Sequence, residues 1–301
     1  MENNNEFLFG GISGLGLEAE SFDLGEGVVL RRTYAHLMSP WLMAFAPPGP
    51  QGHHPAPWKA AKGGHGFDIE IELRVPHATC LGDNFDARET IWWIAALLRL
   101  AHAPFLTVPV LSDHPFQSIP KFEGEPTLEP FETEHRIFQM SQSASRLLGQ
   151  APLSWVKDKW ISAGRLLCSN SKFYTAIKAF DSATIAGRRS ASLLALWGSI
   201  EQLFAPSSGE LRFRVASLFA SYLESQGSAR LELYKRILKL YNERSVAAHT
   251  AQQIDTGALV DTYVLMRNAL VRMIDENAVP TQDHLVSLLF NTGGQEPLPS
   301  P

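Results

Sequence analysis

The sequence predicts an α+β chain of two modules: a β-rich module over residues 1–150, then an all-α helical bundle over residues 151–290. Three observations lead there. Apolar alternation of period 2 dominates the first part, and a period near 3.6 takes over from about residue 151. Proline and glycine interrupt the first half far more than the second. Charge also divides at that point. Residues 1–150 hold 10 Lys and Arg against 18 Asp and Glu, whereas residues 151–290 hold 16 against 12.

The elements follow in order. Phe7-Leu8-Phe9 leads into a glycine-rich stretch, Gly27 to Arg32 is β-branched and apolar, and Asp68 to Leu73 alternates strictly; all three predict strands. Residues 47–66, rich in Pro, Gly and His, predict a long surface loop. Thr90 to Ala101 predicts one buried helix, and residues 107–135, with five prolines from Pro109 to Pro130, predict strand and irregular chain. Trp155, Trp160 and Leu166-Leu167 mark the first bundle helix; Phe173, Ile177 and Phe180 mark the second. A strong stripe of Leu193, Leu194, Trp197, Ile200, Leu203 and Phe204 ends at Pro206-Ser207-Ser208-Gly209. Helices through Val215–Leu223, Tyr234–Ala248 and Leu259–Ile274 follow, and Thr281 caps a last one ending at Phe290. Short connections favour antiparallel neighbours. Residues 291–301 predict a frayed, disordered tail.

Composition narrows the function classes. At 45% apolar and 19% charged, the 301-residue chain has material for a substantial core. No apolar run approaches the roughly 18 residues of a membrane helix. The opening Met-Glu-Asn-Asn-Asn-Glu lacks the basic and apolar regions of a signal peptide, and only two cysteines occur, Cys80 and Cys168. A reducing, cytoplasmic setting without membrane partners is expected. A net charge of -5 argues against a dedicated nucleic-acid coat.

Several apparent motifs fall away. His53, His54, His65 and His77 are ligand types, but their Pro/Gly-rich setting predicts a solvated loop, and no metal or cofactor is expected. Gly10 to Gly16 lacks the lysine of a phosphate-binding loop, and no helical pattern follows it. What stands out is Arg244, four residues, then His249. The spacing alone is weak, since Arg31 and His36 repeat it in the β-rich half. Context favours the later pair. Arg244 lies three residues after Tyr241 and seven after Ile237, beside the apolar stripe of its helix. Glu201 shares a stripe with Leu194, Trp197 and Phe204, which puts a carboxylate on a core-facing side. A buried carboxylate needs a partner, and Arg244 is a natural one as a bidentate pair. A purely structural ion pair is the competing explanation.

Three blocks in order, Ser192–Phe204, Glu210–Ala216 and Leu240–His249, resemble HEPN domains of the Apea-like type, over about residues 150–275. Residues 1–150 would then resemble the module preceding that domain in Apea-like anti-phage defence proteins. The resemblance implies a bundle that dimerises, with a metal-independent ribonuclease site where two Arg-x4-His motifs meet. It makes Arg244 and His249 the catalytic pair, with Glu201 and Ser245 in support. Ser245 stands where many members carry Asn, Asp or His, and Thr250 where glycine is common. The first difference bears on how a phosphate is held, the second on the turn out of the helix.

These side chains suit RNA cleavage. RNA supplies its own nucleophile, the 2'-hydroxyl. A histidine can take that proton or protonate the leaving 5'-oxygen, and a guanidinium can hold the non-bridging oxygens. Positions five apart on an ideal helix are about 140° apart, so a two-fold interface or a distorted helix end is needed to unite Arg244 and His249. Arg212, Arg214, Lys235, Arg236 and Lys239 are candidate contacts to the RNA backbone. The expected partners are RNA, a second copy of the chain and a phage-derived trigger at the N-terminal module. Two alternatives stay open: a catalytically silent HEPN scaffold or RNA-binding module, and a sensor whose active part is residues 1–150.

Overall fold

A computed structural model describes residues 6–82, 85–134, 136, 146–185, 189–205, 210–249 and 255–290. The expected turn at 206–209 and tail at 291–301, and Thr250, lie outside the described residues. The chain is α+β, with a β-rich N-terminal half and a helical C-terminal region.

The first half holds β1 (Phe7–Ser13), β2 (Gly16–Leu17), β3 (Ser21–Gly25), β4 (Val28–Ala44), β5 (Trp58–Pro76), helix α1 (Ala87–Ala101), β6 (Thr107–Ser112), β7 (Leu128–Pro130) and β8 (Leu147–Leu148). Six strands make one antiparallel sheet in the order β3-β4-β5-β1-β6-β7. β2 and β8 form a separate parallel pair. β1 is squeezed from both sides, which explains its glycines. A side-chain carbon at Gly10 would meet Ile91 of α1 at 2.8 Å, and one at Gly11 would meet Ile69 and Phe116 at 2.9 Å.

Two expectations for β5 need correction. Its alternation is interrupted, because the register with β1 slips between Ile71 and Ile69. The slip turns Ile69 to the far face of the sheet, into a small cluster with Phe9, Val110 and Phe116, while Ile71 and Leu73 stay in the main core. The expected loop at 47–66 is also shorter. β5 begins at Trp58, and the pairs Leu42↔Ala60, Met43↔Lys59 and Ala44↔Trp58 carry the hairpin outward. Ala60, Ala61, Gly63 and Gly64 have no side chains large enough to register as alternation.

Helix α1 starts at Asp86, whose side chain accepts from the Glu89 amide, and it is buried on nearly every side. Such a helix needs cover all round. The sheet covers one side and the bundle another. The bundle comprises α2 (Gln150–Ser169), α3 (Ser171–Ser182), α4 (Arg189–Phe204), α5 (Leu211–Leu223), α6 (Ser228–His249), α7 (Thr256–Glu276) and α8 (Gln282–Phe290). Asn170 caps α3 through the Phe173 amide, and the Thr281 hydroxyl accepts from the His284 amide at the start of α8. One hydrophobic core runs from Ile12 of the sheet through α1 to Leu285 of α8. Trp160 stitches it: its indole donates to the Leu24 carbonyl, and its own carbonyl accepts from the Trp93 indole, both at 2.9 Å. Among the described residues no helix is long and apolar enough to cross a membrane.

Candidate functional site

α4 and α6 pack together, and their contact gathers Trp197 and Glu201 from one with Tyr241 and Arg244 from the other. The apolar stripes dictate this, because Ile200, Leu203 and Ile237 must be covered and their helical neighbours come along. The Tyr241 ring stands edge-on to Trp197, with centroids 5.2 Å apart. Arg244 Nη2 lies 3.1 Å from Glu201 Oε1 and 3.3 Å from Oε2. The expected bidentate fork is therefore not formed. One nitrogen faces both oxygens, because the guanidinium reaches Glu201 end-on.

The pair is unfinished. Among the described residues Arg244 Nε and Trp197 Nε1 are buried without a hydrogen-bond partner, whereas Glu201 Oε1 has Arg244 Nη2 at 3.1 Å. Buried polar atoms of this kind each cost about 1–3 kcal/mol. Desolvation, and then the charge of Glu201, raise the Tyr241 hydroxyl above its ordinary pKa, so it stays a neutral donor beside the carboxylate.

The other predicted residues divide. Ser245 turns its hydroxyl back to the Tyr241 carbonyl at 3.3 Å, a bond within its own helix. His249 is the last residue of α6, and its side chain lies outside the described part of the structure. Lys235 is paired with Glu232 at 3.0 Å, and Arg236 with Asp261 of α7 at 2.6 Å. Lys239 and Arg212 are exposed, and Arg214 is half-buried near the start of α5. On an ideal helix Lys235 stands about 180° and Lys239 about 140° from Arg244, so neither lines up with it, whereas Arg236 stands about 80° away. His36 of the repeated spacing bonds Asp68 at 2.7 Å and lowers that carboxylate's pKa.

Sequence reasoning missed a second charged assembly. Arg99 of α1 sends Nη1 to Asp181 of α3 at 2.8 Å, Nε to the Leu106 carbonyl at 2.9 Å, and Nη2 to Glu132. Arg136 adds bonds to Glu132 and to the Asp181 carboxylate and carbonyl, and the Trp92 indole donates to Asp181 at 3.0 Å. Burial pushes the Asp181 carboxyl up, but Arg99 and Arg136 outweigh it and hold its pKa below the ordinary value. The available signal was a lone arginine in the apolar run Ile91–Leu100 and an aspartate beside the stripe of α3.

Among the described residues no group of three or more His, Cys, Asp or Glu is placed to hold a metal ion. A cleft of about 340 Å³ opens between the end of β5 and α2, beside Cys80, Trp160 and Arg165. It lies away from the α4–α6 contact. No family model, curated protein or solved structure matches the chain.

Proposed function

We propose that the chain is a metal-independent endoribonuclease of the HEPN type, acting in anti-phage defence by abortive infection and working as a homodimer. The observation that carries this is the unfinished Glu201–Arg244 pair, about one and a half helical turns before His249. Arg244 is about a quarter exposed, and among the described residues its guanidinium meets Glu201 through Nη2. A phosphate can complete what the protein leaves open.

In this mechanism Glu201 orients Arg244, and Arg244 holds the non-bridging oxygens as charge builds on phosphorus. The 2'-oxygen attacks phosphorus, one His249 takes its proton, and the P–O5' bond breaks. The second His249 of the dimer gives a proton to the leaving 5'-oxygen. The products are a 2',3'-cyclic phosphate and a 5'-hydroxyl. One chain offers one such histidine, which is why a two-fold pairing belongs to the proposal.

Purified protein incubated with total RNA, with and without EDTA, tests it. Cleavage that survives EDTA, leaves cyclic phosphate ends and disappears in His249→Ala but not in His36→Ala is the expected result. Loss of cleavage with EDTA, or dependence on His36 instead of His249, would overturn the assignment. The ion pairs at Lys235 and Arg236 favour one competing reading, a silent dimer scaffold, which predicts a dimer that leaves RNA intact.

A further inference from the structure

Between Glu26 and Asp68 the chain has no Asp or Glu, although the rest of residues 1–150 is strongly acidic. That acid-free stretch is β4, the loop and most of β5. β3 accompanies β4 only as far as Arg31, and β1 accompanies β5 only from Ile69. Beyond Leu37↔Phe67 the two strands pair only with each other, out to Ala44↔Trp58. They form a two-stranded arm, and a lone hairpin of this kind is only marginally stable in water.

The outer part of the arm carries large apolar side chains in the open: Met38 is 74% exposed, Trp41 59%, Leu42 64% and Trp58 62%. Lys59 and Lys62 are exposed among them. Directly paired residues share a face of a hairpin and neighbours along a strand alternate. Leu42, Ala44 and Trp58 therefore lie on one face and Met43 on the other, with Lys59 opposite Met43; Trp41 sits at the slip in register between Pro40 and Leu42.

Apolar groups on both faces decide the kind of partner. A flat protein surface, or a second copy laid against the arm, covers one face and leaves the other wet. Single-stranded RNA stacks on aromatic rings but gains most of its affinity from phosphate contacts, and this tip offers two lysines without a use for Leu42, Met38 or Met43. A lipid boundary covers both faces together. Tryptophan with lysine is also the composition of membrane–water interfaces.

We propose that the tip of the β4–β5 arm docks on an anionic lipid surface. Trp41, Leu42, Met43 and Trp58 enter the boundary between headgroups and acyl chains, and Lys59 and Lys62 stay with the anionic headgroups. The free outer edges of the two strands keep the arm shallow, because their unpaired backbone groups need water or headgroups. The inference is independent of the ribonuclease proposal.

The full chain is sedimented with vesicles of phosphatidylcholine alone, and with vesicles containing about 30% phosphatidylserine. Binding to the anionic vesicles, weakened by salt, is expected. Leu42→Ser with Met43→Ser removes one apolar group from each face and should weaken binding at least about tenfold. Lys59→Glu with Lys62→Glu keeps the apolar tip and should abolish the preference for phosphatidylserine. Circular dichroism confirms that both variants fold. Failure of the wild-type chain to sediment with either vesicle, or equal binding by folded variants, overturns the proposal. So does lipid-free dimerisation that requires Leu42 and Met43, or binding of single-stranded RNA in place of vesicles.

Discussion

Asp181 and Glu201 each face an arginine from another helix, yet their surroundings differ. At Asp181 the Arg99 side chain is 1% exposed and the carboxylate 9%, whereas at Glu201 the arginine is 26% exposed and the carboxylate 17%. Arg99 spends its donors on Asp181, Glu132 and the Leu106 carbonyl. Among the described residues Arg244 bonds through Nη2, and its Nε has no acceptor. The buried assembly has one orphan of its own, Arg136 Nε, but its two carboxylates and two guanidiniums balance in charge. Identical chemistry therefore serves two ends. Sealed from water and satisfied, it fixes α1 to α3. Half-open and unsatisfied, it is suited to receive something else.

The hardest test of that contrast is Asp181→Ala. It leaves two buried guanidiniums to share the single carboxylate of Glu132, so a loss of about 3–5 kcal/mol in denaturant unfolding is expected. A loss under about 1 kcal/mol would mean that the cluster only fills space. Arg244→Ala should show the opposite profile. RNA cleavage should drop by about 10²–10³ while the fold survives, and His249→Ala should cost about 10²–10⁴ in rate. Single-turnover cleavage paired with a melting curve separates the two kinds of effect.

Acid sharpens the comparison further. Asp181 has a folded pKa below its unfolded one, so its contribution is fully present above the unfolded pKa. It disappears as pH falls through the folded value, below the ordinary carboxylate range near pH ~4. An acid titration of stability should therefore be flatter in Asp181→Asn than in the natural chain. The smallest change expected is Ser245→Ala. Its hydroxyl bonds its own helix, so stability should move by no more than about 0.5 kcal/mol and cleavage should hold. A large loss of cleavage there would support the role that the resemblance implies for Ser245.

The Glu201–Arg244 pairing was legible because both residues sit at helical spacing from bulky apolar neighbours, and α4 and α6 are long enough to show the period. The end-on geometry was not, since it depends on how the two helices meet. Arg99 and Asp181 are 82 residues apart and neither belongs to a repeating pattern, so nothing local announces their partnership. The long hairpin was half legible. Its base alternates, but Ala60, Ala61, Gly63 and Gly64 erase the signal in the outer arm, beyond where β5 leaves the sheet. The slip at Glu70 hid for a similar reason: one extra residue keeps the composition of a strand and changes only which face Ile69 takes.

The stitching of the sheet to the bundle has a consequence for how the chain is made. Trp160 reaches back 136 residues to Leu24, and Arg267 reaches back 167 residues to the Leu100 carbonyl. Such distant closures form late. At a synthesis rate of about 5–20 residues per second, the interval between Leu100 and Arg267 is roughly ten to thirty seconds. The bundle side of α1 waits less long, because Trp93 finds its acceptor at Trp160 of α2 and Trp92 finds its own at Asp181 of α3. The sheet and α1 therefore gain their helical cover from α2 and α3, and the Arg267 contact from α7 is the closure that comes last.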